Sequence, residues 1–336
     1  MDYADRCAGS MVGLAVGDAL GFPVEFLNRT EITAQFGAGG VTDFERTWGH
    51  DQAGIYSDDT QMTMAVARAL LAADLDSLDD IMARVREQFI EWADSPANDR
   101  APGQTCMDGA RKMKRGVHWF AAGDPYSKGC GAAMRVAPIG LVFATQPERL
   151  VEVSRAVSIC THGHPTALAS GIAAAAAVAY LAAGHPPGHL LESIARTLRQ
   201  SRGEADYEEV VSHDPLGEQL KKLEVVEASL ALPPEQAFDQ LGGGWIGEEA
   251  VAGALYAFLR SPEDFSETVL VAANACKTDE QAYGKGRCDS DSIACIAGSF
   301  AGAHLGIAAI PEKWRREVED GAELEELGRA LAKAKR

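Results

Sequence analysis

Helical periodicity along most of its length constrains the fold of this chain more than any other sequence feature. Apolar residues recur at intervals of three and four in nine long segments. Alternation of apolar and polar residues, the pattern of a half-buried strand, is nearly absent. The sequence therefore predicts an all-α protein, with helices over residues 7–19, 61–73, 78–94, 150–158, 166–183, 190–200, 247–259, 265–275 and 292–305.

The composition is that of a globular chain with a strong negative charge. Of the 336 residues, 46% are hydrophobic, which is enough for a substantial buried core. Against 49 acidic residues there are 31 Lys and Arg, so the formal net charge is -18 at pH 7. Such a field repels phosphate polymers and anionic membranes, which argues against general nucleic-acid binding and membrane association. A local pocket can still hold a small phosphorylated ligand.

Three sequence features indicate the cellular location of the chain, namely one apolar stretch, the first residues and the cysteines. Residues 165–184 nearly match a bilayer span in length but are mainly Ala, with Thr, Ser and Gly. Because alanine contributes little to membrane insertion, we expect a helix packed inside the protein. The start lacks a basic region followed by an apolar one, so we expect no signal peptide and a cytoplasmic location. Seven scattered cysteines without a CxxC pair indicate reduced thiols.

Two adjacent carboxylates precede an apolar helix in the stretch IYSDDTQMTMAVARALL, residues 55–71. Ser57 is suited to cap this helix, and acids in a first turn favour the positive end of the helix dipole. One acid suffices for that purpose, whereas Asp58 and Asp59 side by side repel each other. Since a bound cation would relieve the repulsion, helix capping and metal binding both stay open here.

A second acidic group repeats this arrangement far downstream. In RCDSDSIACIAGSFAGAHLG, Asp289 and Asp291 stand before an apolar helix, and the hydroxyl of Ser292 follows them. If the fold joins the two helix starts, they supply six oxygen-bearing side chains without His or Cys, the ligand chemistry of Mg²⁺ or Mn²⁺. Four carboxylates in one place need about two divalent cations. Two independent capped helices are the alternative that spacing alone leaves open.

Polar, Gly-rich stretches connect the predicted helices at residues 37–54, 95–104, 123–131 and 278–287. In a helical scaffold, such loops are where chemistry is usually located. No repeat or linker divides the chain, so we expect one catalytic domain over residues 1–310. Residues 311–336 are densely charged, with Leu and Ala at helical spacing, which predicts a surface helix that packs on this domain or extends from it.

Several blocks match a known family in order along the chain. They are MVGLAVGDALGFPVEF, YSDDTQMTMA, RAPGQTC, CGAAMRVAPIG, the pair Thr161 and His162, GGGWIGEEAVAGALYAFL and DSDSIACIAGSFAGAHLG. Over residues 11–306 the chain thus resembles the ADP-ribosylglycohydrolases, the group that includes the dinitrogenase reductase-activating glycohydrolase. The resemblance implies a single compact orthogonal helical domain with a dinuclear magnesium or manganese centre. It also implies hydrolysis of the bond between the anomeric carbon of ADP-ribose and an acceptor.

Carried over position by position, the resemblance assigns roles to individual residues. The residues that match the metal ligands are Ser57, Asp58, Asp59, Asp289, Asp291 and Ser292. The candidates for taking a proton from water are Asp58, Asp59 and Glu25. The residues that match substrate-binding positions are Gly103, Gln104, Thr105, Gly129, Cys130, Gly131, Met134 and His162.

Other residues of these blocks have a structural alternative. Arg135 either adds positive charge for a phosphate or is structural, and we expect Trp245 and Glu248 to serve packing and capping at a helix start. The stretch KTDEQAYGKGR makes the loop before Asp289 longer than in relatives, which puts the substrate preference in doubt. We expect its cations to be solvated, although they are candidates for meeting a phosphate: Lys277, Lys285 and Arg287.

The predicted protein is a hydrolase that releases ADP-ribose from an acceptor, an arginine side chain of a protein in the first place, with two Mg²⁺ or Mn²⁺ as cofactors. The alternatives are hydrolysis of O-acetyl-, serine-linked or nucleobase-linked ADP-ribose, non-catalytic binding, and a metal-dependent phosphohydrolase. Retention of all six oxygen ligands argues against non-catalytic binding. The oligomeric state stays open, with a monomer favoured.

Overall fold

Helix follows helix in the computed structural model, which describes residues 1–47, 49–201, 215–278 and 285–335. Within these ranges there is no β-strand, and three isolated bridges are the only β-type pairings. The prediction of an all-α fold is therefore confirmed. The helices of these ranges are α1 (Tyr3–Gly21), α2 (Arg29–Phe36), α3 (Asp58–Ala72), α4 (Leu78–Asp94), α5 (Gln104–Lys114), α6 (Trp119–Ala122), α7 (Ala137–Val142), α8 (Pro147–Ile159), α9 (Pro165–Ala182), α10 (Leu190–Gln200), α11 (Pro215–Ser229), α12 (Pro234–Leu241), α13 (Gly247–Arg260), α14 (Phe265–Ala273), α15 (Ser290–Leu305), α16 (Glu312–Glu317) and α17 (Gly321–Ala334).

All nine segments with helical periodicity form helices, and α4 and α10 keep the predicted bounds. The periodicity did not reveal several other helices, most of which are short. In α2, for example, Ile32 is the one buried residue, and α6 has four residues in all. Such helices lack a broad apolar face, so their sequences carry little of the signal that periodicity detects.

The most extensive helix pair joins α1 to α15, which lie next to each other along much of their length. Their backbones approach so closely that glycine is required at the contact. A Cβ atom on Gly17 would lie 2.0 Å from the carbonyl oxygen of Ala294, and one on Gly21 would lie 2.6 Å from the Cα of Asp291. The end of α1 therefore packs directly against the start of α15.

Within the described ranges, two helical stretches are long and apolar enough to cross a membrane, namely Tyr3–Val24 and α9. However, 94% of the apolar window of the first and 89% of that of the second is buried inside the protein. The neighbours that cover α9 include α7, α8, α10 and α13. The Ala-rich stretch is thus a core helix, as its composition predicted.

The charged region at the end of the sequence forms α16 and α17. One face of α17 is apolar, and its Leu324 and Leu331 are fully buried. Gly328 lies on α1, since a Cβ atom there would be 2.6 Å from the Cα of Ala8. The opposite face carries charged side chains such as Glu323, which pairs with Arg68 of α3 at 2.5 Å. The helix α17 therefore packs on α1 and presents its charged side to solvent.

Candidate active site

The first acidic triplet, Ser57, Asp58 and Asp59, lies where α3 begins. Ser57 is the N-cap, and its Oγ accepts a hydrogen bond from the Asp59 N–H at 3.3 Å. Asp58 and Asp59 occupy the first helical turn, and both are buried. Helix capping is thus part of the role of this triplet, but capping does not require two buried carboxylates.

The second acidic triplet, Asp289, Asp291 and Ser292, lies at the start of α15. Asp289 is the residue before the helix, and its N–H donates to the carbonyl of Gly243 at 2.7 Å. Because α15 begins at Ser290, Asp291 lies inside its first turn, whereas the apolar pattern predicted a helix that begins at Ser292. All three members of the triplet are buried.

The two triplets converge on one cavity of about 250 Å³. Ser57 is fully buried and does not line this cavity itself, although the next two residues, Asp58 and Asp59, do. Every other predicted site residue lines the cavity: Glu25, Asp58, Asp59, Gly103, Gln104, Thr105, Gly129, Cys130, Gly131, Met134, His162, Asp289, Asp291 and Ser292. The fold thus brings together residues from distant parts of the sequence.

Glu25 adds a further carboxylate to the second triplet. It follows the short 3₁₀ turn Phe22–Val24 at the end of α1. Three carboxylate oxygens, one each from Glu25, Asp289 and Asp291, lie within 4.8 Å of one another. The close packing of α1 on α15 creates this proximity, and three such oxygens are the kind of group that binds a hard cation.

Burial and mutual repulsion raise the pKa of the carboxyl groups in the cavity. For Asp58 the pKa rises to about 8, mainly because burial disfavours the charged form and further because Asp291 lies nearby. The pKa values of Asp59, Asp289 and Glu25 lie well above the usual range, first through burial and then through the charge of Asp291. Such a group tolerates full ionisation only next to a compensating positive charge.

Among the described residues that line the cavity, three buried carboxylate oxygens have no protein hydrogen-bond donor, namely Glu25 Oε2, Asp59 Oδ2 and Asp291 Oδ1. Burying a polar oxygen without a donor is costly, and more so when it carries charge. A divalent cation satisfies several such oxygens at once. The carboxylate and hydroxyl donors of the two triplets match the preferences of hard cations. The site therefore fits a hard divalent cation.

Loops from two other parts of the chain are tied to these acids. The Gly103 N–H donates to Asp58 Oδ2 at 3.1 Å, which joins the loop before α5 to the first triplet. The Cys130 thiol donates to Asp289 Oδ2 at 2.9 Å and lies 3.6 Å from the Ser292 hydroxyl. The predicted substrate loops are therefore in direct contact with the predicted metal ligands.

His162 lines the cavity as a neutral imidazole, because burial and, secondly, the charge of Arg135 lower its pKa to about 3. Its Nδ1 lies 2.8 Å from the hydroxyl of Thr161. Arg135 donates to that hydroxyl at 2.5 Å and to the Val157 carbonyl at 2.9 Å. Its guanidinium is fully buried over the ring of Phe89. Of its two possible roles, Arg135 has the structural one, since it supports His162 and does not line the cavity.

Two aromatic side chains at the cavity were not among the predicted site residues. Phe26 and Trp245 stack with ring centroids 5.5 Å apart, and they are 45% and 37% exposed. We expected Trp245 to serve packing, but its ring is accessible and lines the cavity. Phe26 directly follows Glu25 and has a positive φ of 68°, which is uncommon for a non-glycine residue. The sequence signal for Phe26 was its position directly after Glu25, a predicted site residue.

Asp18 of α1 is a second omission from the predicted site. Its carboxylate is fully buried and accepts hydrogen bonds from the Ser57 N–H at 2.8 Å and the Thr60 N–H at 3.0 Å. The Thr60 hydroxyl donates to it as well, at 2.6 Å. Burial, followed by the charge of Asp291, raises the pKa of Asp18 to about 7. Asp18 therefore holds the first turn of α3, and a lone acid in an apolar helix was its only sequence signal.

Glu248 and its neighbour Glu249 make structural contacts at the start of α13. Glu248 is buried and pairs with the Lys128 ammonium at 2.6 Å. Glu249 binds the loop before the helix, since its Oε2 accepts from the N–H groups of Gly243 at 2.9 Å and Gly244 at 3.3 Å. The N-cap residue of α13 is Ile246, and no side chain caps the helix, so the expected capping role of Glu248 is wrong.

In the described part of the lengthened loop before Asp289, the carbonyl of Arg287 accepts a hydrogen bond from the indole N–H of Trp245 at 3.4 Å. Arg287 forms an ion pair with Glu31 at 2.8 Å. Neither Arg287 nor Lys277 nor Lys285 lines the cavity, so none of these described cations contacts a ligand there. Residues 279–284 of the predicted loop lie outside the described residues.

A helical scaffold that buries two acidic helix starts around one cavity defines the chain as an all-α protein with a candidate site for a hard cation. The ADP-ribosylglycohydrolase family model matches residues 1–336, and the chain belongs to this family. Hydrolysis of ADP-ribose conjugates is therefore the activity that family membership supports.

Individual proteins show the same similarity. The chain is 34% identical to the ADP-ribosyl-(dinitrogen reductase) glycohydrolase of Rhodospirillum rubrum over 59% of this chain and 65% of that protein. It is 26% identical to the ADP-ribosylarginine hydrolase Tri1 of Serratia proteamaculans over 92% of this chain and 74% of that protein. A solved ADP-ribosylglycohydrolase-related protein complex matches with a TM-score of 0.74 and 26% identity, covering 100% of this chain and 99% of that one.

Proposed function

We propose that this protein is a divalent-metal-dependent hydrolase that releases ADP-ribose from an acceptor, and that the acceptor is an arginine side chain of a protein. The observation that carries the proposal is the group of buried carboxylate oxygens without a protein donor at Glu25, Asp59 and Asp291. In a family that hydrolyses ADP-ribose conjugates, this group offers a cation site beside a substrate cavity.

The proposed cofactors are two Mg²⁺ or Mn²⁺ ions. The residues that would hold them are the two acidic triplets, with Glu25 beside the second one. Two such ions balance about four negative charges, which otherwise repel one another in a buried cavity. When bound, the ions supply Lewis-acid polarisation and orient the ribose hydroxyls and a water molecule.

Glu25 is the best suited of the three proposed carboxylates to take the proton of the attacking water. Asp58 Oδ2 already accepts a hydrogen bond from Gly103, and Asp59 belongs to the proposed metal ligands. Glu25 lies outside both triplets, and unlike Asp58 Oδ2 its Oε2 has no protein donor among the described residues. Burial, then the neighbouring acids, hold its pKa well above the usual range, which favours proton uptake closer to neutral pH.

The hydrolysis breaks the bond between the anomeric carbon of ADP-ribose and the acceptor. The oxygen of water forms the new bond to that carbon, and its proton passes to Glu25. The leaving group takes up a proton as the old bond breaks, so the products are ADP-ribose and the intact acceptor. Positive charge develops on the ribose during bond breaking, and the surrounding carboxylates stabilise it.

The diphosphate of the substrate would bind at the wall formed by Gly129, Gly131 and His162. The two glycines lie against the His162 ring, since a Cβ atom on them would be 2.7 and 2.6 Å from ring atoms. A neutral histidine has one N–H to donate. A loop of small residues also lets backbone N–H groups approach an anion closely, which an otherwise acidic protein requires.

The proposal also specifies the acceptor, an arginine side chain of a protein. The Serratia relative is named for an ADP-ribosylarginine substrate, and the Rhodospirillum relative for ADP-ribosylated dinitrogen reductase. The accessible aromatic pair of Phe26 and Trp245 adds support. A planar guanidinium stacks well on aromatic faces, whereas a serine or acetyl group does not.

The experiment that tests the proposal measures product release from arginine-linked, serine-linked and O-acetyl-ADP-ribose, with Mg²⁺, with Mn²⁺ and with chelator. We expect ADP-ribose from the arginine-linked substrate, and loss of the reaction on chelation. Preference for another conjugate would overturn the arginine assignment alone. Release of AMP would indicate a phosphohydrolase, and metal-independent turnover would overturn the metal centre.

A further inference from the structure

The segment between α16 and α17 reaches the loop that leads into the first acidic triplet. The Glu319 N–H donates to the carbonyl of Gly54 at 2.9 Å. The next residue, Asp320, accepts a hydrogen bond from the hydroxyl of Tyr56 at 2.5 Å. Tyr56 immediately precedes Ser57, so two consecutive residues near the end of the sequence bind both ends of a three-residue stretch before the triplet.

Arg100 links the same segment to the triplet by a second route. Glu319 accepts hydrogen bonds from both terminal nitrogens of Arg100, and the bond from Nη2 is 2.9 Å long. Arg100 Nη1 also donates to the Tyr56 carbonyl at 3.3 Å, and its guanidinium lies 5.3 Å from the Tyr56 ring centroid. The carbonyl of Arg100 in turn accepts the Asp58 N–H at 3.2 Å. Arg100 thus contacts Glu319 through its guanidinium and the proposed metal ligand Asp58 through its backbone carbonyl.

The Glu319 pair differs from the surface ion pairs of the molecule. The Arg100 and Glu319 side chains are 10% and 25% exposed, whereas Arg68 of α3 and Glu323 of α17 are both 46% exposed. A bidentate, largely buried pair keeps its geometry, while an exposed pair contributes little. Asp320 is the residue before α17 and has a φ of +50°. In this conformation its carboxylate accepts the hydrogen bond from the Tyr56 hydroxyl.

The anchor of this segment is α1, the helix that also carries Asp18. Gly328 of α17 packs on Ala8 of α1. Asp18 holds the Ser57 and Thr60 N–H groups from one side, and Glu319 and Asp320 hold the preceding residues from the other. The first triplet is therefore held both by Asp18 and by the segment of Glu319 and Asp320, and α1 supports both of these.

We propose that Glu319 and Asp320 are positioning residues of the active site, which hold the first acidic triplet in the geometry that metal binding requires. This inference rests on the proposed function for its role in metal binding, but the positioning itself is a property of the protein alone. Residues that orient metal ligands from outside are typically worth about 10–100-fold in metal affinity.

The test compares the full-length wild-type protein with Glu319→Gln and Tyr56→Phe, and uses Glu323→Gln as the matched control. The first two remove contacts that reach the residues before the triplet, whereas the control breaks the exposed pair between Arg68 of α3 and Glu323 of α17, close to the same segment. One readout is Mn²⁺ affinity by calorimetry, well below the melting temperature. The other is amide hydrogen exchange in the metal-free protein, measured for peptides that contain residues 54–60 and 289–292.

We expect Glu319→Gln to weaken Mn²⁺ binding by about 10–100-fold. It should also speed exchange at residues 54–60 by about tenfold, the factor that losing one charge-assisted hydrogen bond implies, and leave residues 289–292 unchanged. Tyr56→Phe should act in the same direction but less strongly, and it keeps the inference testable if Glu319→Gln fails to fold. The control should match the wild type.

Unchanged exchange at residues 54–60 in both variants, or equal acceleration at residues 289–292, would overturn the inference. Wild-type Mn²⁺ affinity in a Glu319→Gln protein with faster exchange would overturn its link to metal binding. If the wild type binds neither Mn²⁺ nor Mg²⁺, the proposed function fails, and the exchange data still decide whether these residues position the triplet.

Discussion

The two acidic triplets face the same cavity, yet different interactions hold them there. The second triplet lies on α15, whose backbone touches α1 at Gly17 and Gly21. The first triplet lies at the start of α3, where Asp18 accepts hydrogen bonds from two N–H groups, and the segment that contains Glu319 and Asp320 binds the residues just before the triplet. One half of the site is therefore held by backbone packing, and the other by polar side chains.

This difference has consequences for how each half responds to change. Backbone packing depends on shape, so it is insensitive to pH and salt but intolerant of an added methyl group. A network of buried carboxylates depends on protonation and on every partner being present. We therefore expect the first triplet to be the adjustable half of the site and the second to be the rigid half.

The largest effect should come from Asp291→Asn, which removes a proposed ligand from the rigid half. We expect ADP-ribose release to fall about a thousandfold or more, since a lost metal ion withdraws several kcal/mol of transition-state stabilisation. The helical circular dichroism should stay intact. The metal-free variant should melt higher than the wild type, because repulsion among the buried acids is reduced. Full metal-dependent activity in this variant would refute the dinuclear assignment.

The packing of the rigid half is tested by Gly17→Ala. The new Cβ would lie 2.0 Å from the Ala294 carbonyl oxygen, so we expect unfolding in urea to become easier by at least about 1–3 kcal/mol. Gly188→Ala is the matched control, because nothing lies within 4 Å of a Cβ there, and it should change stability by less than about 0.5 kcal/mol. Equal stability of the two variants would contradict the packing argument.

The polar half is tested by Asp18→Asn. The amide that replaces one carboxylate oxygen cannot accept the hydrogen bonds now made by the Ser57 and Thr60 N–H groups at the same time. We expect Mn²⁺ affinity to fall about 10–100-fold, with a loss of about 1–3 kcal/mol in stability. Calorimetry and urea unfolding measure the two effects. Wild-type affinity would show that Asp18 does not orient the triplet.

The smallest effect is a pH dependence of stability in the metal-free protein. The folded-state pKa of Asp58 is about 8 and that of Asp18 about 7, both raised mainly by burial, whereas in the unfolded chain Asp titrates near about 3.9. Between these values the folded protein binds more protons than the unfolded one, so stability falls as pH rises from about 4 to 8. Below this window, where both states are protonated, the loss is absent.

Melting temperatures at pH 5, 6.5 and 8, with chelator and with Mn²⁺, check this expectation. The metal-free protein should melt at progressively lower temperature, and added Mn²⁺ should raise the melting temperature most at pH 8, because protons and metal compete for the same oxygens. A metal-free protein that gains stability from pH 5 to pH 8 would contradict the assigned pKa directions.

Much of the fold and the site was accessible from the sequence. Periodicity located nine helices, since a helix that packs on a core repeats its apolar residues every three or four positions. The paired acids and hydroxyls could be recognised as candidate site residues because helix capping alone does not explain two acids at the start of an apolar helix. Phe26, Trp245, Glu319 and Asp320 could not be assigned in this way, since an aromatic or acidic residue in a loop has many possible partners.

The sequence by itself determined the all-α class, the donor chemistry of the acidic residues and, through ordered motifs, the family. Only the tertiary structure decided that the two triplets share one cavity, that Asp18 holds one of them, and that residues near the end of the chain reach back to the same place. The reason is physical: local periodicity and donor type depend on neighbouring residues, whereas convergence depends on which helices pack together.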